Sequence, residues 1–235
     1  NLELPSAASL ERLAPEKSAT TITGAMGQMH ARIAEARAER RRFSPAGQST
    51  QVIVGADAAT DTEILAASDG LYRRFKLSRV YYSAFSPIDH ASGLLPPKSP
   101  PLAREHRLYQ ADWLLRHYAF SLDEIASASN DNMLDLEIDP KLAWALRNRG
   151  VFPVDVNAAP REMLLRVPGL GVRAVDRIVR ARRHARLRAD DVRRLTVSFR
   201  RAAPFLVAAD HRPVALTDRA DLRQRVAPPR QLSLL

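Results

Sequence analysis

The segment REMLLRVPGLGVRAVDRIVRARR, Arg161 to Arg183, most restricts what this chain can fold into. Two stretches of helical character are interrupted by Pro168-Gly169-Leu170-Gly171. Proline stops the first helix, and the glycines on either side of Leu170 permit positive φ, so a tight turn is expected. Pro160 suits a first helical position, with Leu164, Leu165 and Val167 as the apolar face. The second helix is expected to restart near Val172, with Ala174, Val175, Ile178 and Val179 turned inward. Arg173, Arg177, Arg180 and His184 follow one another at i, i+4, i+7 and i+11, a single stripe on the opposite side.

The pattern Val167, Gly169, Leu170, Gly171, Ala174 resembles the helix-hairpin-helix motif. Such a hairpin exposes backbone N–H groups at a helix N-terminus, where the dipole helps hold a phosphate oxygen. The resemblance implies a DNA-binding surface at Gly169, Leu170, Gly171, Val172, Arg173, Arg177 and Arg180, with the glycines admitting the DNA backbone closely. Contacts of this kind position a protein on DNA without reading its sequence. A helical hairpin used for protein contact is the alternative. The following RLRADDVRRLTVSFRRAAPFLV resembles a second, degenerate unit in which LTVSF replaces the glycine turn and Asp190 or Asp191 opens a helix.

Charge points the same way. Residues 1–150 carry 18 basic and 18 acidic side chains, whereas residues 151–235 carry 18 and 8, so the whole net charge of +10 lies in the last part. A basic region beside a neutral one suits a polyanion partner. Arginine greatly outnumbers lysine, which GC-rich codon usage also explains, but codon usage does not account for the asymmetry.

The first 90 residues read as alternating strands and helices. NLEL, STQVIVGA and RVYYSAFSP are strand-like; helical patterns run from about Ser9, from Gly24 to Arg42, and through TDTEILAASDGLYRRF with Thr60 or Asp61 as cap. This spacing predicts parallel strands joined by crossover helices, too few to close a barrel. A proline-rich loop follows at residues 87–101, then helices in PLAREHRLYQADWLLRHYAF, with Leu108, Ala111, Trp113, Leu114, Leu115 and Tyr118 as apolar contacts, and from Pro140 to Arg149. From Val154 onward the chain reads as helical.

The strings NLELP, PAGQSTQVIVGA, LYRRFKLSRVYYSAFSPI, REHRLYQADWLLRHYAF, DLEIDPKLAWALR and VNAAPREMLLRVPGLG together resemble the C-terminal part of DNA modification/repair radical S-adenosylmethionine proteins. The resemblance covers essentially the whole chain. It implies a partial TIM-type (radical SAM) α/β barrel fragment over residues 1–90, a helical connection over 91–153, an all-α helix-hairpin-helix domain over 154–209, and a basic tail over 210–235. In that family a [4Fe–4S] cluster on a CxxxCxxC loop cleaves S-adenosylmethionine to a 5′-deoxyadenosyl radical. This chain departs at that point, because it has no cysteine. The expected explanation is a fragment whose N-terminal half, with the cluster loop, is missing; a natural variant without the cluster is the alternative. Either way this chain alone is expected to make no radical. Within the barrel reading, Asn1, Glu3, Gln51, Tyr81 and Ser83 alternate inward as candidates for S-adenosylmethionine. Hydrogen bonding among the strands is their alternative role. His90 and its HASG loop could face the substrate mouth.

Two readings thus compete: part of a DNA-acting radical enzyme, or a non-catalytic DNA-binding adaptor with an incomplete barrel. A CxxxCxxC encoded upstream supports the first, and a start codon just before Asn1 the second. An aldolase-type barrel would need a Schiff-base lysine, and Lys17, Lys76, Lys98 and Lys141 all fall outside the expected strands. No run of eighteen apolar residues exists, and a bacterial cytoplasmic location is expected. The chain ends QLSLL, and Gln231, Leu232, Leu234 and Leu235 resemble the bacterial sliding-clamp-binding motif, a polar anchor with apolar residues on an extended end. A frayed amphiphilic tail is the other reading.

Overall fold

The alternation in STQVIV and RVYYSA produces two strands, β1 (Ser49–Val54) and β2 (Arg79–Ala84). They pair in parallel, from Ser49 opposite Arg79 to Val54 opposite Ala84. Thr50, Val52, Val54, Val80 and Tyr82 are buried on one face, and Gln51, Ile53, Tyr81 and Ser83 lie on the other. The computed structural model describes residues 1–88, 93–213 and 219–227. They divide into two units, Asn1–Asp112 with Asn130–Leu134, and Trp113–Ser129 with Asp135 onward.

In the first unit, α1 (Ala7–Leu13) and α2 (Ala19–Ala38) precede β1, and α3 (Asp61–Phe75) crosses from β1 to β2. Thr60 caps α3. Its hydroxyl accepts from the Glu63 N–H at 3.3 Å, and the Glu63 carboxylate accepts from the Thr60 N–H at 2.7 Å. Asp61, the other candidate cap, is instead fully buried and accepts from Arg104 Nε at 2.7 Å and from the Leu134 N–H at 2.9 Å. Arg104 lies on α4 (Leu102–His117). Tyr72 and Tyr82 donate to a second buried carboxylate, Asp112, at 2.5 and 3.3 Å. Burial and the Asp112 charge push the Tyr82 hydroxyl well above its usual pKa.

One expectation is met in part and two are corrected. First, the parallel β1–α3–β2 crossover is present, but no barrel is identified among the described residues. NLEL supplies one parallel bridge, Glu3 opposite Val52, because Glu3 turns into the left-handed region (φ +66°) and Pro5 follows. On the far side the outward N–H groups of Val80, Tyr82 and Ala84 donate to Tyr72, Tyr109 and Glu105 side chains at 2.9, 3.0 and 2.8 Å. Side chains occupy the positions a further strand would need, so β2 is an edge. Second, Trp113 is half-exposed and its ring lies tilted against that of His117, centroids 4.2 Å apart, since it lies off the buried face of Leu108, Ala111 and Leu114. Third, the C-terminal part is not all helical.

In the second unit, α5 (Leu122–Ser127) and α6 (Pro140–Arg147) precede β3 (Val154–Asp155). Helices α7 (Arg161–Arg166), α8 (Val172–Ala181), α9 (Ala189–Leu195) and α10 (Phe199–Ala202) follow, then β4 (Leu206–Val207) and α11 (Leu222–Val226). β3 and β4 pair in parallel, Val154 opposite Leu206 and Asp155 opposite Val207. A two-residue strand is too short to carry a period, so only the buried environment of Val154, Val156 and Leu206 sets it. Edge-to-face aromatic pairs run Phe120–Trp144–Phe152–Phe205, with centroids 5.6, 6.2 and 5.2 Å apart. Among the described residues no helix is long and apolar enough to cross a membrane.

Candidate nucleic-acid interface

The expected helical hairpin is present: α7 ends at Arg166, Val167 to Gly171 turn the chain, and α8 begins at Val172. The two glycines do different work. Gly169 adopts φ +86°, while Gly171 is an ordinary extended N-cap at φ −90°, which corrects the expectation of positive φ at both. A Cβ on Gly169 would stand 2.8 Å from the Ser198 carbonyl oxygen and 3.1 Å from the Ala202 nitrogen. That glycine therefore lets the turn pack against the start of α10. At Gly171 a Cβ would meet only the Tyr118 hydroxyl, at 3.6 Å.

Leu170 is buried, so its side chain belongs to the core. Its carbonyl accepts from Lys141 Nζ at 2.6 Å. No acceptor is hydrogen-bonded to the N–H groups of Gly171 or Arg173 among the described residues, whereas the Val172 N–H is turned to the Tyr118 hydroxyl as its acceptor. Burial raises the pKa of that hydroxyl, a shift the Val172 N–H opposes.

The second turn joins α9 to α10 through Thr196, Val197 and Ser198. Arg188, rather than Asp190 or Asp191, is the residue before α9, with its N–H donating to Asp191 at 2.9 Å. Because Ser198 and Ala202 meet Gly169, the two turns pack against each other.

Some arginines of this region are engaged by distant partners and others are not. Arg166 pairs with both Glu124 carboxylate oxygens at 2.8 Å and lies 4.8 Å from the Phe120 ring centroid. Arg161 pairs with Asp176 at 2.9 Å, Arg182 donates to the Ala159 carbonyl at 2.6 Å, and Arg201 pairs with Asp139. These four tie the fold together. Arg173, Arg177 and Arg180 are exposed on α8 and form no ion pair among the described residues. Among the described residues Arg180 reaches only the Asp176 carbonyl, at 3.5 Å. Sequence spacing identified the free stripe but could not separate it from arginines engaged by distant carboxylates.

In the first unit, the candidates for S-adenosylmethionine are partly brought together. Gln51 Nε2 donates to Ser83 Oγ at 2.6 Å, and Asn1 Nδ2 approaches Gln51 Oε1 at 3.5 Å, a polar line across adjacent strands. Glu3 instead pairs with Lys17, and Tyr81 is exposed with the Arg79 guanidinium 5.2 Å from its ring centroid. A [4Fe–4S] cluster does not fit this chain, which supplies no thiolate. Among the described residues no three His, Asp or Glu side chains gather as a metal site. His90, Gln231, Leu232, Leu234 and Leu235 lie outside the described residues. No protein-family model, curated protein or solved structure matches the chain.

Proposed function

We propose that residues 154–209 grip the backbone of duplex DNA, with Arg173, Arg177 and Arg180 on phosphates and the first turn of α8 offering N–H groups beside them. The observation carrying this reading is the exposed α8 face, whose three arginines stand beside the hairpin turn with no acidic partner among the described residues. Unpaired cations keep their full attraction for phosphate, and neutralising phosphates releases counterions. The excess of 10 positive charges over residues 151–235 extends the field.

In this reading the first unit belongs to a radical S-adenosylmethionine enzyme that modifies or repairs DNA. The polar line from Asn1 through Gln51 to Ser83 supports it, offering donors and acceptors of the kind ribose and amino-acid groups need. The side-chain-capped edge of β2 also supports it, as the last strand of an open sheet. The cluster and its radical chemistry would come from outside this chain, whose own residues bind and orient. The absence of cysteine equally suits an adaptor that only binds DNA.

Fluorescence anisotropy of the full chain with labelled duplex, at several salt concentrations, tests the DNA claim. Affinity should fall steeply with salt, and replacing Arg173, Arg177 and Arg180 by Ala should reduce the log–log slope by about 2–3, near 0.9 per phosphate. Binding that ignores salt, or survives the triple substitution with an unchanged slope, refutes it.

A further inference from the structure

Lys141 is a lysine that the phosphate contacts above do not use, and it sits where the hairpin turns. Only 7% of it is exposed, an uncommon condition for lysine. It stands in the first turn of α6, and its Nζ donates to the carbonyl of Leu170, between the two glycines. The same Nζ lies 4.7 Å from the centre of the Tyr118 ring, whose hydroxyl lies against the Val172 N–H. Asp139, two residues earlier, caps α6 by accepting from the Leu142 N–H at 3.0 Å and pairs with Arg201 of α10. One end of α6 therefore holds the first turn through Lys141 and the second hairpin through Asp139.

We propose that Lys141 is a positioning residue for the DNA-holding turn, and that its amino group, buried directly behind Leu170, takes up a proton and becomes the ammonium when a phosphate docks in front. This rests on the DNA reading above. The charged groups acting on Lys141 come from each neighbouring element: Asp139 favours its charge, Arg201 and Arg166 oppose it, and the Tyr118 ring lies against it. Arg201 and Arg166 are each paired with a carboxylate, Asp139 and Glu124. Burial outweighs Asp139 and pushes the Lys141 pKa down to about 7. A docked phosphate adds an anion beyond Leu170 and favours the charged form, so the bound state holds more protons than the free state. Linkage then fixes the sign. Affinity is greatest below about pH 7 and falls as pH rises, by at most about tenfold per unit for one proton.

The test measures duplex affinity at constant ionic strength from about pH 6 to 8.5, together with calorimetric proton uptake in two buffers of different ionisation enthalpy. His184 stands in the turn just past α8, so to remove it as a competing proton site all chains carry His184→Gln. The chain with Lys141 intact should lose several-fold in affinity between pH 7 and 8 and absorb up to one proton. With Lys141→Met the pH slope and the proton uptake should vanish; with Lys141→Arg, whose charge is fixed, binding should persist without the slope. A Lys141→Met chain that keeps the slope overturns the proposal, as does a Lys141→Arg chain that binds with the slope retained. An intact chain that binds DNA with salt dependence but no proton uptake overturns the proton coupling and leaves the DNA reading standing. A chain that does not bind DNA at all overturns both.

Discussion

Replacing Gly169 and Gly171 singly by Ala should give two very different proteins, although the residues lie two apart in one motif. At Gly169 the backbone has φ +86°, a conformation that costs a side-chain-bearing residue about 1–2 kcal/mol. The new Cβ would also press to 2.8 Å on the Ser198 carbonyl oxygen and 3.1 Å on the Ala202 nitrogen. Both are backbone atoms, so α10 must move away from the turn, an overpacking cost of about 1–3 kcal/mol. Together Gly169→Ala should destabilise the second unit by about 2–5 kcal/mol. At Gly171 φ is −90° and the Cβ would make ordinary contact with the Tyr118 hydroxyl at 3.6 Å. Losing an N-cap glycine costs a few tenths to about 1 kcal/mol, offset by a similar reduction in unfolded-chain entropy. Gly171→Ala should therefore stay within about 1 kcal/mol of the parent. Urea unfolding followed by tryptophan fluorescence reads this, since Trp144 is buried in the aromatic core of that unit. Equal destabilisation by the two substitutions, or a Gly169→Ala chain as stable as the parent, would refute the packing of the two turns.

Arg104→Met should destabilise the first unit by about 3–5 kcal/mol in urea, because it strands the fully buried Asp61 carboxylate with the Leu134 N–H alone. Arg104→Met with Asp61→Asn should recover part of the loss; a single substitution without measurable effect would show that the pair is not buried as described. A peptide of residues 226–235 should bind the bacterial sliding clamp weakly through Gln231, Leu232, Leu234 and Leu235. Failure to displace a known clamp ligand at high micromolar peptide would sink that idea.

Several local features were legible without coordinates because their causes are local. The sequence narrows the cap of α3 to Thr60 or Asp61, and the structure gives it to Thr60. Pro168 and two glycines must break a helix, and apolar residues at helical spacing leave Arg173, Arg177 and Arg180 on one side of α8. The alternation in β1 and β2 follows the two-residue period of a strand, although it could not say that Tyr72, Tyr109 and Glu105 would close the edge.

The sequence by itself determined that the chain breaks between two helices at Pro168 to Gly171, which side of α8 is cationic, and that this chain offers no thiolate to a cluster. Those properties follow from residue chemistry and short-range period. The tertiary structure decided what each exceptional residue is for. Gly169 serves contact with Ser198 and Ala202, Arg166 is consumed by Glu124, and Lys141 lies buried beneath Leu170. Each depends on a partner more than 25 residues away in the chain. Periodicity carries no signal over that separation, and only packing brings the partners together.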